Sequence, residues 1–234
     1  MSSTTIAAST GKITAKIISI HIDAGCNAFL NDCFRQFGIT VHPADEDPIL
    51  LINRQKFEAC VLRLYDPDAD RILKSIRNSP SNRRLVVYGI ARNTQEAMRY
   101  SSYGINAVLD EPLDRQSVLK VVRATHLLVI HELRRYVRVP ITSQAEVDTG
   151  NRVAISVTTV EVSSGGISVR SATQLPKSDP IRVTLTLPGL ERLNVRAYVC
   201  WYREADKIYG LRFDSSDERR LKVRGWIDQY LEIV

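Results

Sequence analysis

Two short segments hold the residues best suited to bind a charged ligand, and the first is Glu-Leu-Arg-Arg-Tyr-Val-Arg at residues 132–138. It brings the guanidinium groups of Arg134, Arg135 and Arg138 within five residues. A guanidinium can donate two parallel hydrogen bonds to a phosphate or to the O6/N7 edge of guanine, and its flat face stacks on a purine. Because Arg134 and Arg138 are four residues apart, they lie on one side of a helix and also on one side of a strand. The segment predicts a site for a planar ligand that carries phosphate.

The second segment is the Ser-Ser-Gly-Gly turn at residues 163–166, which follows a run of strand composition at residues 157–162. Ser163 can donate or accept a hydrogen bond, and Gly165 or Gly166 lets a ligand approach the main chain closely. Each segment also has a simpler interpretation. An arginine cluster is often the solvated C-terminal end of a helix, and such a turn is often only a turn.

Together the two segments resemble the signature of the PilZ domain, a bacterial receptor module for cyclic di-GMP, which reads R-x3-R followed by [D/N]-x-S-x-x-G. Arg134 and Arg138 match the first half, and Ser163 and Gly166 match the second. Glu161 stands where the family usually has Asp or Asn, so its carboxylate reaches one methylene further and the guanine contact is either shifted or lost. The resemblance implies that the following residues bind cyclic di-GMP: Arg134, Arg135, Arg138, Glu161, Ser163, Gly165 and Gly166.

The resemblance covers roughly the C-terminal hundred residues, since residues 181–188, 195–201 and 209–213 are similar to later strands of the family. It implies that the ligand is clasped between the Arg-rich segment and a β-barrel. Family members with R-R-x-x-R often bind two stacked nucleotides, and the adjacent Arg134 and Arg135 leave one or two nucleotides open here.

The composition indicates a globular chain, and its length allows one large or two ordinary domains, of which we expect two. Of its 234 residues, 44% are hydrophobic and 25% are charged. The net charge of +6 is not concentrated in a basic tail, so we do not expect nucleic acid as a partner. No apolar run approaches the roughly 18 to 20 residues that span a bilayer, and the first ten residues lack the features of a signal peptide. We expect a cytoplasmic protein without membrane insertion.

Residue types that bind metals or perform catalysis are scattered. The four cysteines show no C-x-x-C spacing, and the four histidines show neither H-x3-H nor H-E-x-x-H. No nucleophile, base and orienting group occur together, and neither a P-loop nor G-x-G-x-x-G is present. We expect no metal, no cofactor, no catalytic residue and no enzymatic activity.

The first half alternates apolar strands with amphipathic helices. The predicted strands cover residues 13–22, 39–41, 59–64, 84–89 and 107–109, and the predicted helices cover residues 27–37, 47–54, 70–78, 94–103 and 114–131. Such alternation implies an α/β fold with parallel strands and helices on both faces. Five such units in succession resemble the receiver domain of bacterial two-component signalling, which is a CheY-like doubly wound sheet.

A receiver that accepts a phosphoryl group needs an acidic cluster for Mg²⁺, an aspartate after the third strand and a lysine before a proline after the fifth. Here only Asp23 supplies a carboxylate close to the first strand. Arg63 stands at the position of the aspartate, and Glu111 precedes Pro112 in place of the lysine. We therefore predict a degenerate, non-phosphorylatable receiver that docks an unidentified protein partner. A displaced acceptor at Asp66 or Asp68 is the alternative.

The helix that ends the first half has more apolar residues than one face of a receiver helix needs: Val118, Leu119, Val121, Val122, Leu127, Leu128, Val129, Ile130 and Leu133. The excess either packs on the second domain, pairs with another copy of the chain in a homodimer, or caps the first domain alone. The sequence leaves these alternatives open.

Beyond Pro140 the predicted strands are short and separated by turn formers: residues 145–147, 154–162, 167–171, 181–187, 194–201 and 208–213. Six such strands predict a closed antiparallel barrel. A C-terminal helix follows, with an apolar face of Leu221, Trp226, Ile227, Tyr230, Leu231 and Val234. We expect Trp201 and Trp226 in the core.

These patterns divide the chain into a disordered N-terminus (residues 1–11), a degenerate receiver-like domain (12–131), an Arg-rich ligand-binding linker (132–140) and a PilZ barrel (141–234). The implied function is a cyclic di-GMP-binding signalling effector, in which the ligand changes the orientation of the receiver-like domain. The alternative is a nucleotide-independent interaction adaptor with a degenerate PilZ site. A DNA-binding response regulator would instead show a basic recognition helix after the receiver, where the pattern here is β-rich.

Overall fold

The computed structural model describes residues 5–6, 14–150, 154–177 and 180–231. The chain divides into two compact units, the first of which ends at Leu133. The second begins at Arg134, and the short strand β1 (Thr5–Ile6) belongs to it. The observed boundary therefore lies inside the segment that we predicted as a linker.

In its described part, the first unit contains five strands and five α-helices. The strands are β2 (Ala15–Ile20), β3 (Ile39–Pro43), β4 (Ala59–Arg63), β5 (Val86–Ala91) and β6 (Ala107–Asp110), and the helices are α1 (Ala24–Arg35), α2 (Pro48–Arg54), α3 (Ala69–Asn78), α4 (Thr94–Arg99) and α5 (Arg115–Tyr136). The strands are parallel in the order β3-β2-β4-β5-β6. This is the 2-1-3-4-5 order of doubly wound CheY-like folds, so the predicted fold is confirmed.

The sequence explains why these elements form. The strand β5 (VVYGIA) is buried along its whole length, as expected for a parallel strand covered by helices on both faces. The helix α3 buries Ile72, Leu73 and Ile76, whose spacing places them on one helical face. Asp23 caps the start of α1 by accepting a hydrogen bond from the N–H of Cys26.

The helix α5 continues to Tyr136 instead of ending near His131, as we had predicted. Positions 132–135 hold Glu, Leu and two Arg, which are strong helix formers, so nothing in the sequence stops the helix earlier. The strand β7 (Val139–Thr142) begins shortly afterwards. The predicted linker at residues 132–140 is therefore mostly regular structure, with two residues between helix and strand.

In its described part, the second unit continues with β8 (Gln144–Asp148), β9 (Ile155–Ser163), β10 (Gly166–Arg170), β11 (Ile181–Leu185), β12 (Leu193–Arg203), β13 (Ile208–Phe213) and α6 (Arg220–Tyr230). The strand β8 pairs with both β9 and β11. This pairing closes β8-β9-β10-β13-β12-β11 into an antiparallel barrel. The predicted six-stranded barrel is confirmed.

Two further strands extend the sheet beside β9. The strand β7 pairs with β9, and Thr5 and Ile6 of β1 pair with Thr142 and Ile141 of β7. We had predicted disorder over residues 1–11, and for Thr5 and Ile6 that prediction is wrong. The reason is that β1 obtains its hydrogen bonds from a partner far away in sequence, which no local pattern reveals. The other residues of that range lie outside the described residues.

The C-terminal helix covers the barrel with one apolar face. Trp226 and Ile227 are buried, and Trp226 donates a hydrogen bond from Nε1 to the carbonyl of Pro188 at 2.9 Å. The prediction that Trp226 lies in the core is confirmed. Leu221, which we had placed on the same face, is 48% exposed, and Val234 lies outside the described residues.

Candidate functional site

A pocket of about 390 Å³ lies on the barrel unit beside the β9–β10 turn and strands β12 and β13. Its volume falls in the roughly 300–1,000 Å³ range of small-molecule sites. Six of the seven predicted ligand-binding residues line it, namely Arg135, Arg138, Glu161, Ser163, Gly165 and Gly166. Residues that are up to 31 positions apart in sequence thus converge, because β9 and β10 form a hairpin next to the end of α5.

Arg134 is the predicted residue that does not line the pocket. Its Nε lies 2.6 Å from Oδ1 of Asp228 on α6, and the two side chains are only 18% and 25% exposed. The spacing rule placed Arg134 with Arg138, but the helix ends between them, so they no longer share a face. Arg134 stays a predicted ligand residue that has another partner in this structure.

Arg138 lies just after α5 and is half exposed. Its Nη1 donates a hydrogen bond to the carbonyl of Tyr136 at 3.0 Å, and its Nε lies 3.7 Å from Oε1 of Glu161. The Arg135 guanidinium lies 5.9 Å from the ring centroid of Tyr136. The structure therefore brings Arg138 and Glu161 together as an ion pair on the pocket wall.

The Ser-Ser-Gly-Gly turn is held by two side-chain hydrogen bonds. Ser163 Oγ donates to the carbonyl of Gly166 at 3.2 Å, within the β9–β10 hairpin. Ser164 Oγ donates to the carbonyl of Arg134 at 3.4 Å, which satisfies one of the free carbonyls at the end of α5. The turn is thereby attached to the end of the helix that carries the arginines.

The two glycines of the turn differ in the space that a Cβ would find, and neither has a positive φ. A Cβ at Gly166 would lie 2.2 Å from the carbonyl oxygen of Leu211 on β13, so a side chain there cannot fit between the strands. A Cβ at Gly165 would meet nothing within 4 Å. Gly166 is required by the sheet itself, whereas Gly165 leaves the main chain open to the pocket.

Trp201 and Arg212 are among the lining residues that the motif did not identify. Trp201 is 47% exposed, so the prediction that it lies in the core is wrong. Alternation along β12 would have turned its side chain inward, but the pairing with β13 shifts between Val199 and Trp201. This bulge at Cys200 reverses the alternation and directs the indole outward.

Arg212 lies opposite Gly166 in the pairing of β10 with β13 and is exposed. Within the described residues it forms no ion pair, unlike Arg134 and Arg138. The signal that could have located it is alternation along β13, where Leu211 and Phe213 are buried and the residue between them must point outward. The wall thus combines the guanidinium groups of Arg135, Arg138 and Arg212 with one aromatic face, which suits a planar anion.

The model of the PilZ domain family matches residues 132–231, a span that contains the closed barrel, α6 and every lining residue named above. Residues 132–231 form a PilZ domain. No curated protein sequence matches the chain.

The N-terminal half matches receiver domains of response regulators in structure. One is the receiver domain of a sensor histidine kinase from Pseudomonas aeruginosa PAO1, with 17% identity, a TM-score of 0.41, and coverage of 48% of this chain and 97% of that one. Another is a chemotaxis response regulator of Vibrio cholerae, with 13% identity, a TM-score of 0.43, and coverage of 48% and 98%. A third is the HemR receiver domain from Leptospira biflexa, with 18% identity, a TM-score of 0.42, and coverage of 50% and 94%. These are likenesses of fold alone.

At the carboxyl edge of the parallel sheet, where a phosphoryl group would be accepted, the first unit has an arginine. Arg63 ends β4 and donates hydrogen bonds to Oδ2 of Asp23 at 2.8 Å and to the carbonyl of His21 at 3.2 Å. Its Nε lies 3.5 Å from Oε1 of Glu111, which follows β6. The hydrogen bond from Arg63 lowers the pKa of Asp23 below its usual range. A fixed cation therefore occupies the place between the acidic groups that Mg²⁺ would need.

A second acidic group lies beside this arginine. Ligand atoms of His21, Asp66 and Asp68 lie within 4.8 Å of one another, and Nδ1 of His21 is 2.9 Å from Oδ2 of Asp66. Asp66 also accepts a hydrogen bond from the N–H of Asp68, so its two oxygens are both engaged within the cluster. We assign no metal to this group, because these contacts account for its geometry and the Arg63 guanidinium adjoins His21.

No helix in the described residues is both long and apolar enough to cross a membrane.

Proposed function

We propose that this protein is a cyclic di-GMP effector that binds the nucleotide in the pocket beside the β9–β10 turn. The observation that carries the proposal is the convergence of Arg135, Arg138, Glu161, Ser163, Gly165 and Gly166 on one pocket of the PilZ domain. Cyclic di-GMP offers two phosphates and two guanines, and guanidinium groups bind both.

Each side chain has a role that follows from its chemistry. Arg135, Arg138 and Arg212 bind the phosphates or the O6/N7 edge of a guanine. Trp201 stacks on a base, since its indole is exposed and lines the pocket. Ser163 and the open main chain at Gly165 form further hydrogen bonds with the nucleotide.

Glu161 first competes with the ligand for the guanidinium of Arg138, and then contributes to binding of the ligand. In the structure its carboxylate lies 3.7 Å from Nε of Arg138. A phosphate of the ligand replaces this carboxylate as the partner of the Arg138 guanidinium. The released carboxylate can then accept hydrogen bonds from the N1 and N2 groups of a guanine. Glu161 thus takes the part of the Asp or Asn that is usual in the family, at the cost of breaking one ion pair.

The consequence of binding is a change in the orientation of the receiver-like unit. A ligand can shift such an equilibrium only if it binds the two arrangements with different affinities. The receiver-like unit does not respond to phosphorylation, because Arg63 already pairs with Asp23 and Glu111. It serves as a surface for a protein partner, or for a second copy of the chain.

One alternative function is an adaptor that no longer needs the nucleotide. It is favoured by the fact that both signature arginines have carboxylate partners, Arg134 with Asp228 and Arg138 with Glu161. In that case the pairs would hold the barrel in one fixed form. The cytoplasmic, non-enzymatic role that we expect is common to both proposals.

Isothermal titration with cyclic di-GMP tests the proposal. Wild type should bind, whereas Arg138→Ala and Arg212→Ala should each weaken binding by about ten- to hundredfold, because each removes about 1.5–3 kcal/mol of charge-assisted hydrogen bonding. Arg170→Ala is the matched control, since Arg170 is an exposed arginine on β10 that does not line the pocket. GTP as a competitor tests specificity. Equal affinity for GTP, or no heat with wild type, would reject the nucleotide and favour the adaptor.

A further inference from the structure

The contact between Arg134 and Asp228 separates a signature arginine from the pocket in which the family signature would place it. Arg134 Nε lies 2.6 Å from Asp228 Oδ1, and neither residue lines the pocket. Within the described residues, neither of these two atoms has a hydrogen bond of good geometry. The contact is therefore held by charge, and a ligand that offers better-directed acceptors can replace it.

The main chain of Arg134 is nevertheless next to the pocket. Its carbonyl accepts a hydrogen bond from Ser164, a residue of the pocket wall, at 3.4 Å. An arginine side chain has several rotatable bonds, so its guanidinium can change direction while the helix backbone stays in place.

Asp228 is in a good position to hold the side chain. It belongs to α6, next to Trp226 and Ile227, which are buried in the barrel. The hydrogen bond from Trp226 Nε1 to the carbonyl of Pro188 fixes this part of the helix further. The carboxylate is only 25% exposed, so water screens its charge less than it screens an exposed ion pair.

We propose that Asp228 is an internal competitor for the phosphate of the ligand, and that it sets the affinity of the site by holding Arg134 in an inactive direction. This inference rests on the proposed function and adds its regulation. Binding moves Arg134 from Asp228 to a phosphate, so it leaves Asp228 on α6 without its cation. The helix α6 then senses whether the pocket is occupied. Any change that stabilises the Arg134–Asp228 contact by a given factor weakens ligand binding by the same factor.

A double-mutant cycle tests the proposal. Asp228→Asn should raise the affinity for cyclic di-GMP by about tenfold, equivalent to one charged contact that no longer has to be broken. In the Arg134→Ala background, Asp228→Asn should have almost no effect, because there is no guanidinium to release. Glu146→Gln is the control, since it removes one carboxylate from an ion pair with Arg192 that lies away from the pocket.

The outcomes separate this inference from the proposed function. A lower affinity of Asp228→Asn would overturn it, because Asp228 would then orient Arg134 for the ligand. An equal gain in both backgrounds, or with Glu146→Gln, would overturn it as well, because the gain would come from net charge. A gain in affinity with Asp228→Asn that is absent in the Arg134→Ala background and with Glu146→Gln would support it. If neither binds, the proposed function fails, and the inference fails with it.

Hydrogen exchange of the unmutated protein provides a second test of the inference, one that needs no variant. Addition of cyclic di-GMP should speed up exchange of the amides in the last turns of α6, because the contact with Arg134 is lost. Slower exchange there, together with ligand binding, would show that the contact is kept in the complex and would overturn the inference.

Discussion

Trp201 and Gly210 are paired across β12 and β13, and the indole ring occupies the space that a side chain at position 210 would need. A Cβ there would lie 2.0 Å from Cε2 of Trp201. The ring is therefore supported by the backbone of the neighbouring strand, while it stays 47% exposed on the pocket wall. A large aromatic side chain is held in one place without being buried.

We predict that Gly210→Ala and Trp201→Ala each lower the affinity for cyclic di-GMP by about tenfold or more, since base–aromatic stacking is worth about 1–3 kcal/mol per base. The alanine at position 210 acts by displacing the ring, and the alanine at position 201 acts by removing it. Trp201→Phe should keep most of the affinity. Isothermal titration measures all three.

The fluorescence of Trp201 provides the control for this prediction. The chain has two tryptophans, and Trp226 is buried. In a Trp226→Phe variant, cyclic di-GMP should change the emission of Trp201 directly. Unchanged emission at saturating ligand, together with an unchanged affinity of Trp201→Ala, would exclude Trp201 from the site.

The two glycines of the β9–β10 turn should respond differently to substitution. Gly166→Ala should destabilise the barrel by about 2–4 kcal/mol, because its Cβ would lie 2.2 Å from a main-chain oxygen of β13 that cannot move away easily. Gly165→Ala should change the free energy of unfolding by less than about 1 kcal/mol, because its Cβ meets nothing within 4 Å. Urea unfolding followed by circular dichroism measures both values.

Ligand binding adds a second contrast between the same two variants. Gly165→Ala should fold normally but bind cyclic di-GMP less tightly, since the methyl group enters the pocket. Equal stability of the two variants would mean that the close approach of Gly166 to Leu211 does not constrain the sheet.

Asp217 should make the stability of the barrel unit depend on acid. A hydrogen bond from Arg219 is the main cause that lowers the pKa of Asp217 from 3.8 to about 2, and N–H groups of Arg196 and Arg219 contribute. Because the folded pKa lies below the unfolded one, the carboxylate stabilises the fold above about pH 4, and this stabilisation is lost as the pH falls toward 2. The loss should be about 2 kcal/mol.

The comparison of wild type with Asp217→Asn tests this assignment. Between pH 4 and pH 2 the free energy of unfolding should fall less in Asp217→Asn than in wild type. Wild type should therefore be the more stable protein above pH 5, and it should lose that advantage as the pH falls toward 2. Asp206→Asn is a suitable control, because the Asp206–Arg203 pair is a surface contact with both side chains at least half exposed. A pH profile of Asp217→Asn that runs parallel to wild type would refute the assignment.

The receiver-like unit should not accept a phosphoryl group. Incubation with a small phosphodonor and Mg²⁺ should leave the intact mass of the protein unchanged, because the Arg63 guanidinium pairs with Asp23 and Glu111 where the metal would bind. Arg63→Asp should remain unmodified too, since Glu111 still replaces the lysine.

The same cluster should stabilise the first unit. Arg63→Met should lower the midpoint of thermal unfolding, because two carboxylates would face each other without a cation. Transfer of a phosphoryl group to Asp66 or Asp68 in wild type would contradict the prediction, and it would restore the displaced acceptor as the better interpretation.

The sequence predicted most elements of both units because their patterns are local. Alternation with period two gave the six barrel strands, and buried runs between helices gave the parallel sheet. One error occurred where a distant partner decides the structure, because β1 exists only through its pairing with β7. Another was local, because nothing in the sequence of α5 stops the helix at His131.

For the site, the sequence determined the chemistry: three arginines and a Ser-Gly turn at the spacing of the PilZ signature, with the carboxylate of Glu161 where that signature has Asp or Asn. Tertiary structure decided which of these groups meet. It paired Arg134 with Asp228 on α6, and it brought Arg212 to the pocket. A single bulge at Cys200 turned Trp201 outward. The physical reason is that residue type and spacing fix what a side chain can bind, whereas its direction depends on helix ends, bulges and partners that are distant in the chain.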